Sequence, residues 1–255
     1  MSKQAALIRT IEELSMNAQP SFYTLMYDGW LLRFANGYTR RANSVNPLYP
    51  SNLPLEDKIA YCQDLYHARE LPLIFKVTDI AQPPELDEAL ANMGMRRNAM
   101  VSVQVLDLRR IDKTPTLTDV WVDTSFRGQW LLSYAQMNTL EEEHVPNAAL
   151  MLASILPPTC FLSLRVGQEV VAVGMGVYER GWLGIFDVVV APHMRGQGIG
   201  RQLMLNLLAW GKRQGASYSY LQSQTSNAPA LGLYHALGYR EAYRYWYREL
   251  PVYNT

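Results

Sequence analysis

Apolar positions along the chain fall into alternating runs of two periods. Over residues 3–17, Leu7, Ile8, Ile11 and Leu14 share one helical face. Residues 29–35 and 38–45 read as two strands joined through the turn pair Asn36-Gly37. A helix over 55–70 stops at Leu71-Pro72, and a short apolar strand covers 73–78. A helix over 84–93 closes at Gly94, and 99–108 alternates as a strand. The charged stretch 109–115 (RRIDKTP) interrupts the pattern and predicts a linker. Beyond it, a strand covers 119–123, and helices over 128–139 and 148–155 are set off by Pro146 and Pro157-Pro158. Strands follow over 160–166, 170–179 and 182–190. A helix over 199–214 carries Ile199, Leu203, Leu207 and Trp210 on one stripe and ends at Gly215. A strand over 218–222, a helix over 228–237 ended by Gly238 and a strand over 241–249 complete the chain. The mixture predicts an α/β (α+β) fold with a mixed sheet flanked by helices. The two runs are similar in size and order, which predicts two units in tandem, 1–112 and 113–255.

With 49% hydrophobic and 18% charged residues, the chain has enough apolar material for a sizeable core. Lys plus Arg and Asp plus Glu both number 23, which leaves no broad positive field for nucleic acid or anionic membrane. Cys62 and Cys160 sit in apolar surroundings, and the opening MSKQAALIRTIEEL carries acids where a secretory signal needs an apolar run. A reduced, cytoplasmic setting is expected. The four histidines show no metal-ligand spacing, so no metal site is expected.

The most informative stretch is 184–200, GIFDVVVAPHMRGQGIG. A strand runs into Arg195, Gly196, Gln197, Gly198, Ile199 and Gly200, and a helix follows at once. Closely spaced glycines let backbone N–H groups converge without Cβ obstruction, and the helix start adds partial positive charge. This is an anion site suited to a pyrophosphate. The spacing G-x-G-x-G is neither the dinucleotide fingerprint nor a P-loop, and no Asp or Glu occurs between Asp187 and Glu241. That acid-free stretch carries Arg195, Arg201, Lys212, Arg213 and Arg240, as a polyphosphate ligand favours.

With Val188, Val189 and Val190 ahead of this loop, and Asn227, Tyr234 and Gly238-Tyr239 downstream, residues from about 118 to 250 resemble the GNAT superfamily of acetyl-CoA-dependent N-acetyltransferases. The resemblance implies roles by position. Backbone amides of Val188, Val189 and Val190 bind the pantetheine arm and the acetyl carbonyl, and residues 195–200 cradle the pyrophosphate. Asn227 bonds the cofactor's arm, and Tyr234 protonates the leaving thiolate. On residue chemistry alone, Asn227 also suits a helix N-cap ahead of Pro229, and Tyr234 suits packing beside Leu231 and Leu237. The acceptor implied is a small-molecule or peptide amine; monomer and homodimer both stay open. A non-catalytic acetyl-CoA binder, and a transferase of another acyl group or onto a hydroxyl, stay open.

One position departs from the family. Its general base often falls four or six residues before the last valine, here Phe186 and Gly184, and neither takes a proton. Strand alternation places Asp187 on the opposite face. The base is left to an acid of the first half, a water chain, or an acceptor amine of low pKa. The first half has no phosphate loop and resembles a degenerate GNAT unit. Its Arg33, Arg40 and Arg41 suit either an acidic ligand or a solvated hairpin face. The aromatics Tyr243, Tyr245, Trp246, Tyr247 and Tyr253 are expected to pack core and edge strands rather than stack on bases.

Overall fold

In the computed structural model, which describes residues 2–138 and 140–250, the apolar stripes and alternating runs form two compact units. One holds the residues up to Ser102 together with those from Tyr243, and the other runs from Val103 to Ala242.

In the first unit, helix α1 (Lys3–Ala18) starts at Ser2, whose side chain accepts from the Ala5 amide. Strands β1 (Tyr23–Tyr27) and β2 (Trp30–Phe34) form an antiparallel hairpin across Asp28-Gly29, both left-handed. The tight hairpin expected at Asn36-Gly37 does not form, although the strands it was to join do pair antiparallel, at Leu31–Asn46 and Leu32–Val45. Residues 38–44 turn instead, and only Val45–Asn46 (β3) is extended. The side chain of Asn43 accepts from the Ala35 and Gly37 amides, so a side chain takes the place of ladder bonds. Helix α2 (Leu55–His67), strand β4 (Ile74–Thr78) and helix α3 (Leu86–Asn92) follow. The sheet order is β1-β2-β3-β4, then β11 (Arg240–Glu249), whose residues from Tyr245 pair antiparallel with β4. Trp30, Leu32, Phe34, Ile59, Tyr66 and Phe75 form the centre of this core.

Strand β5 (Arg96–Asp107) begins in the first unit and ends in the second, and β11 does the reverse. The unit boundaries therefore lie inside strands. The stretch 109–115 is fastened to the second unit rather than free. Ile111 is in its core, and Lys212 donates to the Ile111 carbonyl.

The second unit continues with β6 (Val120–Asp123), α4 (Gly128–Asn138), α5 (Val145–Ala153), β7 (Thr159–Val166) and β8 (Glu169–Glu179). Then come β9 (Trp182–Val190), α6 (Ile199–Arg213), β10 (Tyr218–Gln224) and α7 (Ala228–Leu237). Thr139, the expected end of α4, lies outside the described residues. Pro146, read as a breaker, sits in the first turn of α5, where its missing N–H costs nothing. The strand order is β5-β10-β9-β8-β7-β6; β9 and β10 run parallel, while β6 to β9 are antiparallel neighbours. Cys160, Leu162 and Leu164 of β7 face the core under α6, while Phe161 turns to Trp130 of α4, 5.3 Å between ring centroids. Glycines let α6 approach closely: a Cβ on Gly211 would lie 2.5 Å from Leu183, and one on Gly174 3.0 Å from Leu207. Among the described residues, no helix is long and apolar enough to cross a membrane.

Candidate active site

The site grows from an irregularity in β9. Val173 pairs with Val189 and Met175 with Phe186, so two residues of β9 oppose Gly174. This is a β-bulge at Asp187 and Val188, and Asp187 sits there at φ +52°. Asp tolerates the left-handed region better than most residues, which suits it to the position. The extra residue resets the alternation. Leu183 and Ile185 face the α6 core before the bulge, and Val188 and Val190 pack on the same core after it. Phe186 and Gly184 thus lie on the face opposite Val190, against Tyr220, and the expected parity of 184, 186 and 190 is overturned.

Beyond the bulge, β9 and β10 part. Their register ends at Leu221 opposite Ile185, although β10 runs on to Gln224 and β9 to Val190. The Ala191 amide donates to Val171 in β8. Alternation then turns the N–H and C=O of Val190, and likewise of Val188, toward the edge that β10 has left. The Val190 carbonyl accepts from Arg195 Nε at 3.1 Å. Val189, by the same alternation, turns its polar atoms to β8. The opening between the strands is therefore lined by main-chain groups of Val188 and Val190.

At its end the chain makes a 3₁₀ turn over Pro192–Met194 and enters the glycine loop. Gly196 and Gly198 are left-handed at φ +75° and +79°, and a Cβ on either would meet no atom within 4 Å. Open space therefore adjoins both. Gln197 donates to the His193 carbonyl at 3.0 Å and holds the loop. Gly198 is the N-cap of α6, without a side-chain cap and without an acid in the first turn. The first N–H groups of α6 have no acceptor within the helix, and the helix dipole adds to them. Gly200 is the packed member of the three, with a Cβ position 3.3 Å from Leu233 and 3.5 Å from Val190. That contact sets α7 beside the loop.

Helix α7 starts at Asn227, whose Oδ1 accepts from the Ala230 amide at 3.2 Å. The N-cap reading of this residue is thus realised. Its end is fixed by Gly238 at φ +106°, with the Tyr239 amide bonded to the Tyr234 carbonyl. Tyr234 is buried at 8% exposure, its ring edge-on to Tyr239. Burial pushes its phenol up to about 12. Among the described residues the Tyr234 hydroxyl has no hydrogen-bond partner. Tyr239, in contrast, shares a 2.7 Å bond with Ser219, which donates to the Leu183 carbonyl.

The structure thus brings 188–190, 195–200, Asn227 and Tyr234 onto consecutive elements around one core. The donor set, main-chain groups at the strand opening followed by open amides at the start of α6 with Arg195 beside them, fits an extended ligand with an anionic end. Sequence reasoning missed the bulge, for which Asp187 in a strand facing a glycine-bearing neighbour is the available signal. It also misplaced Arg33 of the first unit, whereas Arg40 is exposed as a solvated face requires. Arg33 is buried and donates to the carbonyls of Met16, Gln19 and Arg41. Arg40 pairs with Glu249, and Arg41 reaches Tyr245 and Gln19. Tyr243, Tyr245 and Tyr247 are buried, and Tyr253 lies outside the described residues. Glu141, Glu143 and His144, adjacent in sequence rather than at metal spacing, bring ligand atoms within 4.8 Å of one another. They are exposed or half-exposed, a setting in which acids are common without an ion.

A family model described as "Probable histone acetyltransferase Rv0428c C-terminal" matches residues 5–248. The chain is 26% identical over 245 residues to an uncharacterized N-acetyltransferase, YobR, of Bacillus subtilis, covering 94% of this chain and 98% of that one. A GCN5-related N-acetyltransferase from Kribbella flavida superposes with a TM-score of 0.69 at 16% identity, over 98% of this chain and 96% of its own. A tandem GNAT protein from the clavulanic acid biosynthesis pathway gives 0.67 at 14% identity, over 96% and 88%. At these identities the two structures speak for the fold.

Proposed function

This chain belongs to the acetyltransferase family typified by the C-terminal part of Rv0428c, within the GNAT superfamily, and from that premise we propose that it moves an acetyl group from acetyl-CoA directly to a primary amine. The observation that carries this reading is the parting of β9 and β10 beside an open, uncapped glycine loop.

Acetyl-CoA supplies the acetyl group as a thioester. Val188 and Val190 present main-chain groups to its amide-bearing arm. The amides of 196–200, with Arg195, hold its pyrophosphate at the start of α6, whose first turn carries no acid. Asn227 keeps its Oδ1 on the Ala230 amide, which leaves its amide N–H groups for the arm. The Tyr234 hydroxyl stays protonated through the neutral range and gives its proton to the sulfur as the carbon–sulfur bond breaks. The amine nitrogen forms the new bond to the acyl carbon and loses its proton to water.

The order strand, helix, parallel strand, helix, strand occurs twice, as β3-α2-β4-α3-β5 and β9-α6-β10-α7-β11. We read the first as a degenerate unit that binds no acetyl-CoA, and the donor site as wholly within the second. The acceptor is a small molecule or a peptide amine. The test is thiol release from acetyl-CoA against a panel of polyamines, amino acids, aminoglycosides and peptide N-termini. Amine-dependent release supports transfer. Tight acetyl-CoA binding with no release on any amine replaces it with a binder or sensor, and faster release with alcohols or longer acyl chains replaces the acceptor or the donor.

A further inference from the structure

The first unit also contains parallel strands that part. Val45 of β3 pairs with Phe75 of β4, and no later pair follows. Both side chains enter the apolar core, so alternation turns the next residues, Asn46 and Lys76, to the other face. There Lys76 is ion-paired with Glu12 of α1, and Tyr243 donates to Glu12 at 2.7 Å. Lys76 Nζ also lies 4.1 Å from the centroid of the Tyr245 ring. Glu12, Asn46 and Lys76 are all buried. Between them is a half-open cavity of about 10 Å³, lined also by Met16, Leu48 and Thr78.

One buried atom beside this cavity has no partner among the described residues: Asn46 Oδ1. Turning the amide over is no remedy, because Nδ2 donates to the Ser44 carbonyl at 2.9 Å and the exchange would set two acceptors together. A buried acceptor without a donor is costly, and the cavity is near the smallest that admits one water. Glu12 and Lys76 cancel in charge, which favours a neutral occupant. Lys76 has three N–H donors and directs one to Glu12. The occupant must donate to Asn46, and it can accept from a remaining Lys76 N–H. A hydroxyl does both, whereas an ammonium cannot accept and a fully deprotonated anion cannot donate.

We propose that this cavity is a binding site for one neutral hydroxyl group, supplied by water or by an alcohol, which donates to Asn46 Oδ1 and accepts from Lys76 Nζ. The site is independent of acetyl transfer. Crystals of the full chain grown without polyols should show one oxygen peak within about 2.7–3.2 Å of both atoms. Crystals equilibrated with ethylene glycol distinguish the sources: a peak extended into the diol identifies an alcohol site, and an unchanged single peak identifies water. In Asn46→Leu the peak should be lost. An empty cavity in the wild-type protein, a peak in reach of only one of the two atoms, or an unmoved peak in Asn46→Leu overturns the proposal.

Discussion

Replacing Tyr234 by Phe removes one oxygen and leaves the buried ring. That oxygen has no protein partner among the described residues, and the ring keeps its edge-on contact with Tyr239. The change in fold stability should therefore stay within about 0.5 kcal/mol, as for substitutions that break no packing or bonding. The catalytic loss is of another size. A positioned general acid contributes roughly 10²–10⁴-fold, and the lower end corresponds to about 2.7 kcal/mol of barrier. Acetyl-CoA affinity should barely move, because the proposed donor contacts are main-chain groups of β9 and the glycine loop. The assay is thiol release with the best amine of the panel, alongside calorimetric titration of acetyl-CoA and a thermal melt. The expected result is kcat down about 100-fold or more with Kd and Tm nearly constant. The wild-type rate should also show no fall from Tyr234 ionisation until pH approaches 12, since burial has pushed the phenol up to about 12. A variant kcat within about twofold of wild type would remove this hydroxyl from proton transfer. A loss of kcat matched by a loss of Tm would make Tyr234 a packing residue.

Gly198→Trp should abolish acetyl-CoA binding in calorimetry, because the indole would enter the open space beside the α6 start; an unchanged Kd would sink the placement of the phosphates there. Gly184→Ala would set a Cβ 2.6 Å from Phe186 and 2.7 Å from Tyr220, both buried, and should lower the urea midpoint by an amount worth about 1–3 kcal/mol. The control, Gly232→Ala, meets nothing within 4 Å on the exposed side of α7 and should stabilise by about 0.5–1 kcal/mol; equal effects of the two would refute the close-packing argument. Alkaline stability follows from the buried phenol of Tyr234. Its folded pKa is raised above the ordinary value near 10, so its contribution is whole below pH 10 and is lost as pH rises toward 12. Chemical denaturation should give a flat midpoint from pH 7 to about 9.5 and a falling one above 10, and a midpoint constant to pH 12 would contradict it.

Much of the second unit was legible because its elements announce themselves by local chemistry. Gly215 and Gly238 mark helix ends, and Asn227 and Pro229 mark a start. The glycine loop was legible because a short spacing of glycines between a strand and a helix leaves few alternatives. The face of β9 was not, since one inserted residue at Asp187 reverses every parity argument across it. The β1–β2 hairpin was missed because Asp28-Gly29 lies between a mostly exposed strand that ends at the half-buried Tyr27 and a buried tryptophan, with no alternation to flag the first strand. Arg33 reads as a surface residue, and only the tertiary arrangement of three backbone carbonyls gives it a buried place. The unit boundaries lie within β5 and β11, where composition does not change.

Amide hydrogen exchange on the full chain, with and without saturating acetyl-CoA, tests the donor site most directly. Slowed exchange at 196–200 and at Val188 and Val190, with no change at Asn46 or Lys76, is the predicted result. Protection absent from the glycine loop, or concentrated in the first unit, would contradict the account.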